Sequence, residues 1–203
     1  MRMLSPAGPA RPALLALRVG GDVAAWRRCG FSVGEGGLLR AGEVVIALDN
    51  SAGEGVTGWQ TVPAVEGLPR FSCPDTGEIA AVHDNAVTGV DHVVITTPDI
   101  NATTGALVAA GCELRRERTA RIGGADVIQR FLPMTGALAE LVTAVPPAGD
   151  AAGLWGITFA CRDMSALPAV AGRPRPAVQP GRQIAVATAA AGLGAHVAFI
   201  TER

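Results

Sequence analysis

The chain reads as an α+β protein built of repeated strand–helix–strand–strand–strand (βαβββ) modules with curved mixed sheets. Two observations carry this: the sequence repeats itself with a period of about 60 residues, and each copy opens with a β-prone run that ends in an Asp fit to start a helix. GVDHVVITTPDINA (89–102) and GLWGITFACRDMSA (153–166) share the opening Gly, the apolar strand and the Asp followed by a small polar residue and Ala. Their far ends match too, TGALAELVTA (135–144) beside LGAHVAFITE (193–202), each a Gly turn running into a strand.

In the first copy, Asp99 or Asn101 caps a helix over 105–110 that Gly111 stops in the left-handed conformation helices favour at that point. Two strands follow at 112–118 and 125–132, joined at Gly123-Gly124, before the strand that holds Glu140. The second copy predicts a shorter helix over 164–170, interrupted by Pro168, then a strand over 183–188 and the last strand. A looser copy precedes both: a strand at 13–19, a helix over 23–29 ending at Gly30, strands near Phe31, Leu38 and 44–48, and another at 55–62. The domains are therefore an N-terminal module at 10–70, a linker at 71–88 within a Pro-, Gly- and Asp-containing stretch, and modules at 89–146 and 150–203.

Composition narrows the chemistry. Among 203 residues there is no Lys and no Tyr, all 17 basic residues are Arg, and His occurs three times. That removes Schiff-base lysines, the Walker phosphate lysine and the Tyr–Lys hydride-transfer pair. GEGG (34–37) lacks the strand–Gly-rich loop–helix context and reads as a hairpin turn, so no nucleotide cofactor is expected. The net charge of −1 with dispersed Arg predicts no nucleic-acid partner. Four distant cysteines without CxxC pairing predict free thiols in a reducing compartment. Pro6, Pro9 and Pro12 interrupt the first apolar stretch, and no run approaches the ~20 residues of a membrane span, so a cytoplasmic, non-membrane protein is expected.

The residues around Asp91-His92 in DHVVITTPD, the Gly-closed helix after them, and ALAELV with Glu140 resemble the vicinal-oxygen-chelate superfamily of glyoxalases, bleomycin-resistance proteins and dioxygenases. Most similar is its actinobacterial-type glyoxalase-like domain group, which carries a His-x-Asn-Gly-like turn before this strand; here the turn is His83-Asp84-Asn85-Ala86. The resemblance covers about residues 83–203. It implies a cup-shaped pocket between two modules, each giving one metal ligand from its first strand and one from its last.

Transferred residue by residue, the resemblance offers His92 and Glu140 as ligands to Zn, Ni, Fe or Mn. It places Gly156 and Ala198 where the second module would supply its pair, and neither has a donor side chain. His196, two residues before Ala198 and on the same strand face by alternation, is the one substitute for a His92, Glu140, His196 metal set. His83 is the remaining histidine, expected to bond local backbone in its turn.

His92 and Glu140 are also a candidate acid–base pair without a metal. Gln129 and Arg182 are candidate ligand contacts, Gly156 clears space in the cup, and Trp155 is expected to pack in the core or between modules. Two functions follow: a glyoxalase-like small-molecule-binding protein with a degenerate metal site, or a metal-dependent lyase, isomerase or dioxygenase using His92 and Glu140. Three modules in an architecture that closes in pairs predict a homodimer.

Overall fold

A computed structural model describes residues 11–74, 79–122, 124–143 and 150–202. The first ten residues, Gly123 of the expected Gly-Gly turn and the 144–149 junction between modules lie outside them. None of the described helices is long and apolar enough to cross a membrane.

The N-terminal unit comprises β1 (Ala13–Gly20), α1 (Val23–Arg28), β2 (Leu38–Ala41), β3 (Val44–Leu48) and β4 (Gly55–Val62). Asp22 caps α1 by accepting from the Ala24 amide at 3.1 Å, as an Asp between strand and helix should. The sheet order is β2-β3-β1-β4, with β1 parallel to β3. It has four strands like the others, but only β2 and β3 lie on one side of β1, and antiparallel β4 pairs with its other side. The strand expected near Phe31 is absent because Gly30, at φ 81°, turns the chain and sends the Phe31 ring inward. That ring lies 4.9 Å from Trp26 and 5.1 Å from Phe159 of the last module.

The other elements are β5 (Val87–Thr97), α2 (Ile100–Ala109), β6 (Arg116–Ile122), β7 (Ala125–Pro133), β8 (Leu138–Thr143), β9 (Gly153–Cys161), β10 (Arg175–Pro176), β11 (Gln183–Val186) and β12 (His196–Thr201). They form one curled sheet ordered β10-β11-β12-β9-β5-β8-β7-β6, a half-barrel of two modules joined through their first strands. Asp99 starts α2 by accepting from the amides of Asn101 and Ala102, both at 2.9 Å, and Gly111 leaves it at φ 103°. The matching Asp163 caps the Ser165 amide at 2.9 Å. There Pro168 permits only two single 3-10 turns, Met164–Ala166 and Ala169–Ala171, in place of the expected helix.

The register carries the internal symmetry. Antiparallel β5 and β9 pair His92 with Thr158 and Val94 with Gly156, while β8 pairs Glu140 with Val94 and β12 pairs Ala198 with Thr158. Exchanging the modules therefore turns His92 into Gly156 and Glu140 into Ala198, the same equivalence the sequence repeat gives.

One continuous apolar core spans both sheets, with Trp26, Phe159 and Phe199 fully buried. The N-terminal unit is docked within its own chain. Trp26 Nε1 donates to the Leu193 carbonyl at 3.0 Å and the Gly55 amide to that of Gly194 at 2.6 Å. Gly194 has φ 70°, and a Cβ there would lie 1.8 Å from the Gly20 carbonyl oxygen, so only glycine permits this approach.

Candidate functional site

The site begins with a break in strand alternation. Between Val90 and His92 the β5–β9 pairing slips at Asp91, and the burial pattern of β5 departs from strict period two at the same place. Such a bulge lets two successive side chains face the same way. Asp91 and His92 consequently meet: His92 Nδ1 lies 2.8 Å from Asp91 Oδ2. Because that carboxylate is ionised, Nδ1 carries the proton and donates it.

A chain of polar side chains runs from this pair in both directions. On one side Asp91 Oδ1 accepts from Arg182 Nη2 at 2.7 Å, and Arg182 Nε donates to the Thr201 carbonyl at 2.6 Å. On the other, His92 Nε2 faces Glu140 Oε2 at 3.3 Å, Glu140 Oε1 accepts from Gln129 Nε2 at 2.5 Å, and Gln129 Oε1 accepts from Arg118 Nε at 2.7 Å. Arg118 also lies over the Phe131 ring, 5.1 Å from its centre. Gln129 is buried and the His92 and Glu140 side chains are nearly so. Burial by itself would raise the Asp91 carboxyl; the hydrogen bonds and charge of His92 and Arg182 outweigh it and bring the carboxyl down to about 2.

The His92–Glu140 contact is longer than the 2.7–2.9 Å of a strong charge-assisted bond, which makes it the loosest contact in the chain. Beside Asp91 lies an open hollow of about 340 Å³ whose lining includes Val90, Leu138, Met134, Arg115 and Glu202.

The four positions at which the family resemblance would put metal ligands are thus His92, Glu140, Gly156 and Ala198. Two have no donor and the other two are engaged with each other and with Asp91 and Gln129. Among the described residues no three His, Cys, Asp or Glu side chains are grouped so that they could hold a metal ion. The residues present do not fit a four-ligand ion.

His196 is not joined to His92 and Glu140. Its exposed ring stacks on Trp155, centres 4.1 Å apart and planes 9° from parallel. Trp155 is 47% exposed, so it stands at the surface of β9 instead of in the interior. Gly156 opens no cavity, because a Cβ there would lie 2.7 Å from the His196 carbonyl oxygen; the glycine lets β12 approach β9.

His83 is buried and bonds backbone far away in sequence: Nδ1 accepts from the Ser32 amide at 3.2 Å and Nε2 donates to the Arg40 carbonyl at 3.0 Å. Burial holds its pKa down, so it is a neutral strut between the linker and the N-terminal unit. Its neighbour Asn85 donates to the Cys29 carbonyl at 2.9 Å. Ala86 has φ 56°, the left-handed conformation for which the similar turns use Gly.

Sequence reasoning missed Asp91 and Arg118. Strict alternation puts Asp91 on the face opposite His92, and only the bulge reverses this. Arg118 belongs to the Arg-rich run 115–118, and only its cross-strand partner Gln129 singles it out.

No family model and no curated protein matches the chain. Among solved structures it is similar to methylmalonyl-CoA epimerase from Mycobacterium tuberculosis, with 15% identity and a TM-score of 0.46 over 59% of this chain and 91% of that one. A Streptomyces coelicolor methylmalonyl-CoA epimerase in complex with 2-nitronate-propionyl-CoA gives 20%, 0.44, 57% and 98%. The hypothetical protein BH1468 from Bacillus halodurans C-125 gives 14%, 0.41, 56% and 94%. The likeness is one of backbone course, at identities that say nothing about activity. By its own topology, two four-stranded modules paired through their first strands in one curled sheet, the chain has the fold that the vicinal-oxygen-chelate resemblance implies.

Proposed function

We propose that the chain is a glyoxalase-like small-molecule-binding protein in which the metal position has degenerated and the cup takes a small organic ligand. The observation that carries this is the polar chain Arg182, Asp91, His92, Glu140, Gln129, Arg118, whose members satisfy one another without an ion. The hollow beside Asp91 supports it, since about 340 Å³ is at the lower end of small-molecule sites and Val90, Leu138 and Met134 give it the apolar wall such sites use. Amide chemical-shift mapping with a panel of small oxo-acids, hydroxy acids and diols tests the reading. Saturable shifts centred on Val90, Asp91 and Leu138 are expected; binding elsewhere, or by none of the panel, counts against it.

A second reading is a metal-assisted lyase, isomerase or dioxygenase using His92 and Glu140. One observation favours it: the 3.3 Å contact between Nε2 and Oε2 is the one an ion could most readily enter.

The proposal includes a reducing, cytoplasmic setting, supported by the four free cysteines, three of them buried. It retains a homodimer, although the N-terminal unit finds its packing partner inside the chain. A monomer mass at all concentrations in sedimentation overturns that part.

A further inference from the structure

Arg182 is the unusual member of the polar chain. It lies on the turn before β11 and bonds the β12 carbonyl of Thr201 and the β5 carboxylate of Asp91; in the sheet order β9 lies between those two strands. The side chain therefore reaches over β9 from the third module into the second. It and Asp91 are both about nine-tenths buried, at 9% and 10% exposure. A buried guanidinium is tolerated only when its charge is matched and its donors are used, and the turn at Gly181, with φ 76°, starts it on this path. Two carboxylates, Asp91 and Glu140, face this part of the sheet, and the third module contributes no side-chain donor at Gly156 or Ala198.

We infer that the Arg182 guanidinium is the resident cation of the cup, supplying from the third module the positive charge that a divalent ion would otherwise bring to Asp91, His92 and Glu140. The third module thus contributes a cation where it lacks ligands. Through Asp91, Arg182 also acts as a positioning residue that fixes the His92 ring, since the carboxylate it holds is the one that accepts the hydrogen bond from Nδ1. This inference does not rest on the cup binding an organic ligand.

The test is chemical rescue. Arg182→Ala should melt at least about 6 °C below wild type, as expected when one partner of a buried pair is removed in a chain of this size. Methylguanidinium chloride at tens of millimolar should raise the melting temperature of that variant and not of wild type or of the Asp91→Asn/Arg182→Ala double variant. The uncharged isostere N-methylurea should not. Arg182→Lys should melt closer to wild type than Arg182→Gln, which keeps the fold testable if the alanine variant does not accumulate. Ni²⁺ or Zn²⁺ should leave the melting of wild type unchanged. Equal rescue by methylurea, a wild-type melt for Arg182→Gln, or saturable one-to-one Ni²⁺ binding by wild type would each overturn the inference.

Discussion

Replacing Asp91 by Asn tests the electrostatics of the polar chain without changing its shape. The folded state holds the Asp91 carboxyl at about 2, down from 3.8, and the group is almost wholly buried, so little of the effect is screened. A displacement of that size stabilises the fold by about 2 kcal/mol, at about 1.4 kcal/mol per tenfold change in proton affinity. The sign follows from the lowered value: the unfolded chain takes up the proton first as pH falls. The contribution is therefore complete above about pH 4 to 5 and is lost as pH drops toward 2. In Asp91→Asn the Arg182 guanidinium stays buried with only neutral oxygens, the introduced amide's and the Thr201 carbonyl's, to accept from it, so the variant should be less stable at pH 7 by about 2–4 kcal/mol. Its stability should also fall less steeply than wild type between pH 5 and 2. Urea unfolding followed by tryptophan fluorescence across that range measures both. Parallel pH profiles for variant and wild type would refute the reasoning, because they would mean that Asp91 titrates alike in the folded and unfolded chains.

Three further outcomes are expected. Ala86→Gly relieves the left-handed residue at φ 56° and should stabilise the protein by about 0.5–1 kcal/mol, seen as a raised denaturation midpoint. His83 is held neutral by burial, so wild type should lose stability as pH falls below about 6.5, a slope that His83→Gln should lack in the same titration. Gly156→Ala pushes a methyl against the His196 carbonyl, 2.7 Å from the ideal Cβ, and should destabilise by about 1–3 kcal/mol; a neutral result in thermal melting would mean that β12 can move away from β9.

Much of the fold is legible in the sequence because the repeat is carried by residues with fixed local roles. Asp99 and Asp163 start their turns where the aligned segments place them, Gly111 ends the helix, and the equivalence of His92 with Gly156 is reproduced by strand register. The failures occur where tertiary packing decides. The strand expected near Phe31 gives way to an aromatic cluster, and the helix expected over 164–170 gives way to turns around Pro168.

At the site, His92 and Glu140 could be chosen in advance through the family resemblance and Gln129 as a polar residue on the strand before Glu140; it is the strand register that puts the three on one face. Asp91 could not, since the bulge that rotates it is written in no single residue. Arg182 could be picked out only as a cation after a Pro-Gly turn; its partner lies 91 residues away in sequence. His83 looks local in the sequence, yet it bonds Ser32 and Arg40 across the interface with the N-terminal unit.

The central claim, that the cup's polar chain is complete without a metal ion, is tested most directly by element analysis of the protein purified without chelators. The account predicts no stoichiometric Zn, Ni, Fe or Mn. A full equivalent of one of these, lost in both His92→Ala and Glu140→Ala, would contradict it and favour the metal-assisted enzyme.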